Sequence, residues 1–160
     1  MKVVSDTSPV GYLVLIGQGQ LLADLFGGVT VPAKVAMELL HSNAPAAIRE
    51  WFRTPPLWLT VGSEALPSTA EVRGLTSLHR GERAAIVLAE HLGADLVLLD
   101  DRPARRAARE RGLRVTGLLG VLREAADLGL VDLPEAIDAL RRTNFRASPR
   151  LLKALLESGR

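Results

Sequence analysis

Three acids stand directly after apolar, strand-like runs: Asp6 after Lys2–Ser5, and Asp100 with Asp101 after Leu96–Leu99. In an open parallel sheet, ligand sites form outside the carboxyl ends of the strands, near a reversal of strand order. An acid there is held by the scaffold, and two such strand ends can bring their acids to one cleft. Taken singly, Asp6 can serve as a turn acceptor, and Asp100 or Asp101 as a helix cap. Glu38 and Glu82 fall in helical segments. Alone, the first reads as a solvent-facing helix residue and the second as a first-turn acid favoured by the helix dipole. As a set these residues mean more, because three or four carboxylates in one cleft repel unless cations share them. Magnesium and manganese take oxygen ligands, and paired metals about 3.5–4 Å apart stabilise attacking and leaving oxygens in phosphodiester hydrolysis.

The remaining chemistry is narrower. The chain has no cysteine, which excludes disulfides, cysteine–zinc sites and thiol nucleophiles, and fits a reducing compartment. His41, His79 and His91 sit on three separate segments, and His79, near Glu82, is the best placed to touch a substrate. Arg102, Arg105, Arg106 and Arg109 recur at i, i+3, i+4 and i+7, on one face of a helix just after the acidic strand end. Such a stripe can hold RNA phosphates, receive an acidic protein segment or face solvent. Arg80 and Arg83, flanking Glu82, share that ambiguity. Several neighbouring chemistries fail on residues. Ser8 stands where a haloacid-dehalogenase phosphatase needs a second Asp, and the three lysines (2, 34 and 153) leave no late strand-end Lys for a response-regulator receiver. No P-loop occurs, and Gly17-Gln18-Gly19 follows a helix and continues to Leu22 rather than a third Gly, so it is no dinucleotide motif.

The elements that must position these residues alternate between short apolar runs and helix-length periodic segments, the pattern of an α/β domain. Strands are expected at Lys2–Ser5, Val29–Val31, Leu57–Val61, Leu96–Leu99 and Leu113–Val115. The first helix is expected to run from Pro9 to about Ile16 with Ser8 as its N-cap. Others are expected at Leu21–Phe26, from Pro32, at Ala44–Phe52, at Glu82–Leu92 with Ile86, Ala89, Ala85 and Leu92 inward, at Pro103–Arg111 and at Leu118–Leu128. Pro134–Arg142 and Pro149–Leu156 read as a helical tail over about 134–158, and Gly62–Ser77 as turn-rich. With 160 residues, no linker and no repeat, the expectation is one domain over 1–160. No apolar run approaches a membrane span, and Asp6 falls where a signal peptide needs its apolar core, so a soluble cytoplasmic protein is expected. The net charge of +2 averages unlike regions, since residues 100–114 hold six Arg against three acids.

The acids with their flanks, "SDTSP" at 5–9, "VPAKVAMEL" at 31–39, "GERAAIVLAEHLGADLVLLDD" at 81–101 and "GLRVTGLLGVL" at 112–122, resemble the PIN-domain family. Within it the chain is similar to the prokaryotic, VapC-like group described as predicted nucleic-acid-binding PIN proteins. The likeness covers roughly residues 2–150, and its most specific part is the eighteen-residue step from Glu82 to Asp100. It implies a three-layer α/β/α fold with a central, mostly parallel sheet, and a Mg²⁺- or Mn²⁺-dependent ribonuclease, commonly the toxin of a toxin–antitoxin pair. Carried over by position, the catalytic acids are Asp6, Glu38, Glu82 and Asp100, with metal held by Asp6, Asp100, Glu82 and Asp101. Thr7 or Ser8 is then the hydroxyl that orients water. The family usually has Asp where this chain has Glu82, so one carboxylate reaches a methylene further. The expected partners are RNA, a cognate antitoxin and a second copy of the chain, with the Leu118–Leu128 helix and Leu151, Leu152, Leu155 and Leu156 as dimer surface or core. The competing reading is a PIN-fold binding or interaction module with weak or no nuclease activity.

Overall fold

The computed structural model of the chain describes residues 1–63 and 70–158. Strands β1 (Val3–Ser5), β2 (Val29–Pro32), β3 (Leu59–Gly62), β4 (Leu96–Leu98) and β5 (Val115–Thr116) form one sheet in the order β3-β2-β1-β4-β5. Every pairing is parallel. The strands are connected by α1 (Thr7–Leu15), α2 (Leu21–Phe26), α3 (Ala33–Leu40), α4 (Ala46–Arg53), α5 (Arg80–Leu92) and α6 (Arg102–Glu110). Three helices, α7 (Leu118–Asp127), α8 (Leu133–Arg141) and α9 (Pro149–Ser158), follow β5. The chain builds β1, β2 and β3 outward in one direction and then returns to lay β4 and β5 on the other side of β1. Strand order therefore reverses between β1 and β4, the position at which parallel sheets open a ligand crevice.

Alternation along the strands makes the three layers. Val3 and Leu98 point into a core shared with α1, α2, α3, α4, α7 and α8, whereas Val4, Val97 and Leu99 point into a second core with α5 and α6. The centre of the sheet is β1, with β4 beside it; both faces of each are covered, which is why these runs carry no polar alternation.

Several boundaries differ from the sequence expectation for local reasons. The first helix begins at Thr7 with Asp6, not Ser8, in the N-cap position. Pro9 falls at the third helical residue, where its missing N–H is no loss because the first-turn donors have no intrahelical partner. Gly81 lies inside α5, whose N-cap is His79. Leu92 is 37% exposed at the end of α5, beyond the buried stripe of Ala85, Ile86 and Ala89. Leu57 is fully exposed and outside β3. Part of the expected turn-rich stretch, 64–69, lies outside the described residues, and 70–77 is turn.

The apolar helix α7 is not a free surface. Leu118, Val121 and Leu122 are completely buried, each fully buried aliphatic side chain contributing roughly 1.5–3 kcal/mol. Leu152 is buried, and Leu155 and Leu156, partly buried, pack against the same core, so these residues help to close the fold. Leu151 of the tail is exposed. Among the described residues, no helix is long and apolar enough to cross a membrane.

Candidate active site

Parallel pairing sets the two strand-end acids side by side. Ser5 is level with Leu98, and the Asp6 N–H donates to the Leu98 carbonyl at 3.0 Å. Asp6 leaves β1 extended, as the residue before a helix must, yet its side chain does not cap α1. Instead the carboxyl turns into the cleft, 7% exposed, with Oδ1 buried and without a hydrogen-bond partner. Burial pushes its pKa up to about 7 from 3.8; the Thr7 N–H opposes this, and the nearby Glu82 and Glu38 carboxylates reinforce it.

Glu38 comes from α3, the helix that β2 feeds directly through Pro32. Its Oε2 accepts the Thr7 hydroxyl at 2.5 Å, which ties the second acid to the residue after the first. Its Oε1 lies 3.5 Å from His79 Nδ1. That nitrogen also accepts the Gly81 N–H at 3.2 Å. Glu82 completes the reciprocal cap: its Oε1 accepts the His79 N–H at 3.0 Å. A Glu three residues after the cap is what such a box requires. Glu at this position thus has a local structural use, because its side chain reaches back to the cap. Burial raises the Glu82 pKa, and the neighbouring Asp101 carboxylate raises it further.

Asp100 is held differently. Its Oδ2 accepts the Ser8 hydroxyl at 2.8 Å, and its Oδ1 accepts the Leu118 N–H, at the start of α7, at 2.7 Å. Burial raises its pKa, against the pull of Leu118, Ser8 and the Arg105 guanidinium. The five acids therefore share one rim but fall into two sets. Asp6, Glu38 and Glu82 surround one another with Asp101 against Glu82, while Asp100 is anchored between the N-termini of α1 and α7. Both hydroxyls expected to orient water, Thr7 and Ser8, are hydrogen-bonded to acids of the site.

The arginines separate as well. Arg105 is half-buried beside Asp100, and Arg102 and Arg109 are exposed. Arg106 forms a solvent-exposed pair with Glu110 at 3.2 Å, an interaction worth little and open to displacement by phosphate. Arg83 donates to the Thr76 carbonyl at 3.3 Å and so braces the turn before α5, whereas Arg80 is exposed.

Two glycines escaped the sequence reading. A Cβ on Gly81 would lie 2.9 Å from Asp6 Oδ1 and 3.1 Å from Glu38 Oε1. One on Gly117 would lie 2.7 Å from Asp100 Oδ1. Each acid set is thus packed against a backbone position without a side chain. The His79-x-x-Glu82 spacing carried a usable signal for the cap; nothing near Gly117 pointed to Asp100.

Among the described residues, no group of three or more His, Asp or Glu stands arranged to hold a metal ion. The donor set nevertheless suits a hard divalent cation. It is all carboxylate oxygen, one oxygen is buried without a partner, and burial, reinforced by the neighbouring carboxylates, disfavours ionisation of Asp6. A family model described as a PIN domain matches residues 2–159. No curated protein and no solved structure matches the chain.

Proposed function

The chain belongs to the PIN-domain family of nuclease-type, nucleic-acid-binding modules, and from that premise we propose that it is a divalent-metal-dependent ribonuclease of the VapC-like kind. The observation that carries the proposal is the unpartnered, buried Oδ1 of Asp6, crowded by Glu38 and Glu82. A stable fold has no need of such a group, whereas a cation-binding site does. Asp6, Asp100, Glu82 and Asp101 are the residues that would hold magnesium or manganese. When bound, the metal supplies countercharge and activates water for attack on phosphorus. Thr7 fixes Glu38 and Ser8 fixes Asp100, so two acids keep their orientation before substrate arrives. Glu38 or Glu82 takes the proton of the attacking water, the P–O3′ bond breaks in line, and the departing 3′-oxygen takes a proton from solvent, which leaves a 5′-phosphate and a 3′-hydroxyl. The same proposal includes a cognate antitoxin that restrains the enzyme and a homodimer.

The test is cleavage of a panel of transfer, messenger and ribosomal RNAs with Mg²⁺ or Mn²⁺. Cleavage by the parent, lost in both Asp6→Asn and Asp100→Asn, is expected; activity surviving both substitutions refutes the site. A second reading, a PIN-fold binding module without hydrolysis, draws on the lack of a metal-ready group among the described residues. A parent that binds RNA but cleaves none of the panel, and takes up no divalent metal at millimolar concentration, selects it.

The α6 arginines make a separate prediction. Removing Arg102 and Arg109 together, as a double Ala variant, should weaken RNA binding regardless of sequence. It should also flatten the slope of log K against log salt by about 1.4, at roughly 0.7 per lost phosphate contact on a single strand. An unchanged slope in a salt titration takes this face off the RNA path.

A further inference from the structure

A cavity of about 690 Å³ opens beside the acid cluster, lined from α1, α3 and α4. Thr7, Ser8, Gly11, Tyr12 and Leu15 line it from α1, so it follows that helix for about 12 Å, away from the acid end. Thr7 and Ser8 are the residues whose hydroxyls hold Glu38 and Asp100, so cavity and acid site share a wall. The floor is apolar, with Ile48 and Leu39 closing on Gly11, where an added Cβ would meet them at 3.4 and 3.6 Å. Lys34 and Arg80 supply cations to the lining, in which Glu38 is the one acid among the described residues. Tyr12 is braced on two sides: its hydroxyl donates to Asn144 Oδ1 at 2.7 Å, and its ring stands edge-on to Phe145 at 5.1 Å. The Asn144 amide N–H groups and the Tyr12 oxygen lone pairs remain to address a ligand.

We infer that this cavity is a nucleobase subsite, which takes the base of an unpaired nucleotide flanking the scissile phosphate, with Lys34 and Arg80 against the neighbouring phosphates. The inference rests on the nuclease reading and adds a specificity element to it. An apolar floor with a few convergent polar groups is the make-up of a small-ligand site. Every base offers an apolar face to such a floor, and a polar edge that Asn144 and Tyr12 can read. A paired base keeps that edge engaged and its face stacked, so the occupant must come from a loop, a bulge or a strand end. The shared wall with the acids favours nucleic acid over a protein segment.

The experiment uses the full chain in EDTA and the fluorescence anisotropy of a labelled single-stranded hexaribonucleotide, compared with the same backbone carrying abasic residues. The abasic strand is expected to bind about tenfold more weakly, within the range that base stacking supplies. Met37 lines the cavity and is 71% exposed, so Met37→Glu should fold normally. Met37→Glu and Asn144→Ala should each weaken the base-bearing strand at least about fivefold, to within twofold of its abasic counterpart. Equal binding of the two strands by the parent, or variants that bind the base-bearing strand as the parent does, overturns the subsite and leaves the cavity to a protein partner. A parent that hydrolyses no phosphodiester yet keeps the base-dependent pattern sinks the nuclease reading and supports the subsite.

Discussion

Asp6→Asn is expected to raise the melting temperature of the metal-free protein by roughly 5–10 °C at pH 8 while lowering RNA cleavage at least about a hundredfold. Both effects come from one carboxyl. In the unfolded chain this group titrates near 3.8, and in the fold at about 7. Between those values the native state holds a proton that the unfolded state has released, so stability falls as pH rises and levels off above about 7. The integrated loss is on the order of 4 kcal/mol. Asn has the same shape without the charge and escapes that loss. At pH 4.5 little of the loss has accrued, and the advantage of the variant should shrink to about 2 °C. Glu82 and Asp100, also raised by burial, push the parent in the same direction.

Adding Mg²⁺ or Mn²⁺ should reverse the ranking. A cation that binds only the folded state stabilises it by mass action, and the parent has the carboxylate that the variant lacks. Melting curves at pH 8 and 4.5, with and without metal, read all four corners. A variant no more stable than the parent at pH 8 removes the claim that ionised Asp6 is a strained charge. A parent that gains nothing from millimolar metal removes the claim that a cation relieves it.

How legible this was depended on how local the cause is. The strands could be read because apolar runs such as Val3-Val4 and Leu96–Leu99 suit the centre of a sheet covered on both faces, and the acids that follow these two mark the rim. The family and the α/β/α layering followed from the same residues. The start of α1 was misplaced because Pro9 looks like a first helical residue, when the free donors of the first turn tolerate it two positions later. The role of α7 stayed open because apolar helix faces look alike in sequence whether a partner or the chain's own α8 and tail covers them. What could not be read were pairings across long separations. Thr7 to Glu38 spans 31 residues and Ser8 to Asp100 spans 92, so no spacing rule reaches them. The need for glycine at 81 and 117 arises only once other elements bring carboxylate oxygens to those backbones.

Gly81 therefore gives the second large effect, one that helix propensity alone predicts with the wrong sign. Gly81 sits in the first turn of α5 and is not among the positive-φ glycines, so Ala should be accepted by the backbone and gain up to about 1 kcal/mol. The added methyl would nonetheless stand 2.9 Å from Asp6 Oδ1 and 3.1 Å from Glu38 Oε1. Glu38 has three side-chain torsions with which to yield, at the expense of its hydrogen bond to Thr7. Asp6 has one bond fewer and is enclosed, so the clash must displace its carboxyl or tilt the start of α5. A displacement near 1 Å at a reacting centre costs about a hundredfold in rate. Gly81→Ala is thus expected to melt within a few degrees of the parent, to lose about a hundredfold in cleavage, and to need a higher metal concentration for half-maximal activity. The metal titration separates a displaced ligand from a generally loosened fold, which would lower the melting temperature and leave the metal requirement alone. Cleavage within about threefold of the parent would show that the carboxylates move aside at no cost, and that the close packing of Asp6 on this backbone has no part in the chemistry.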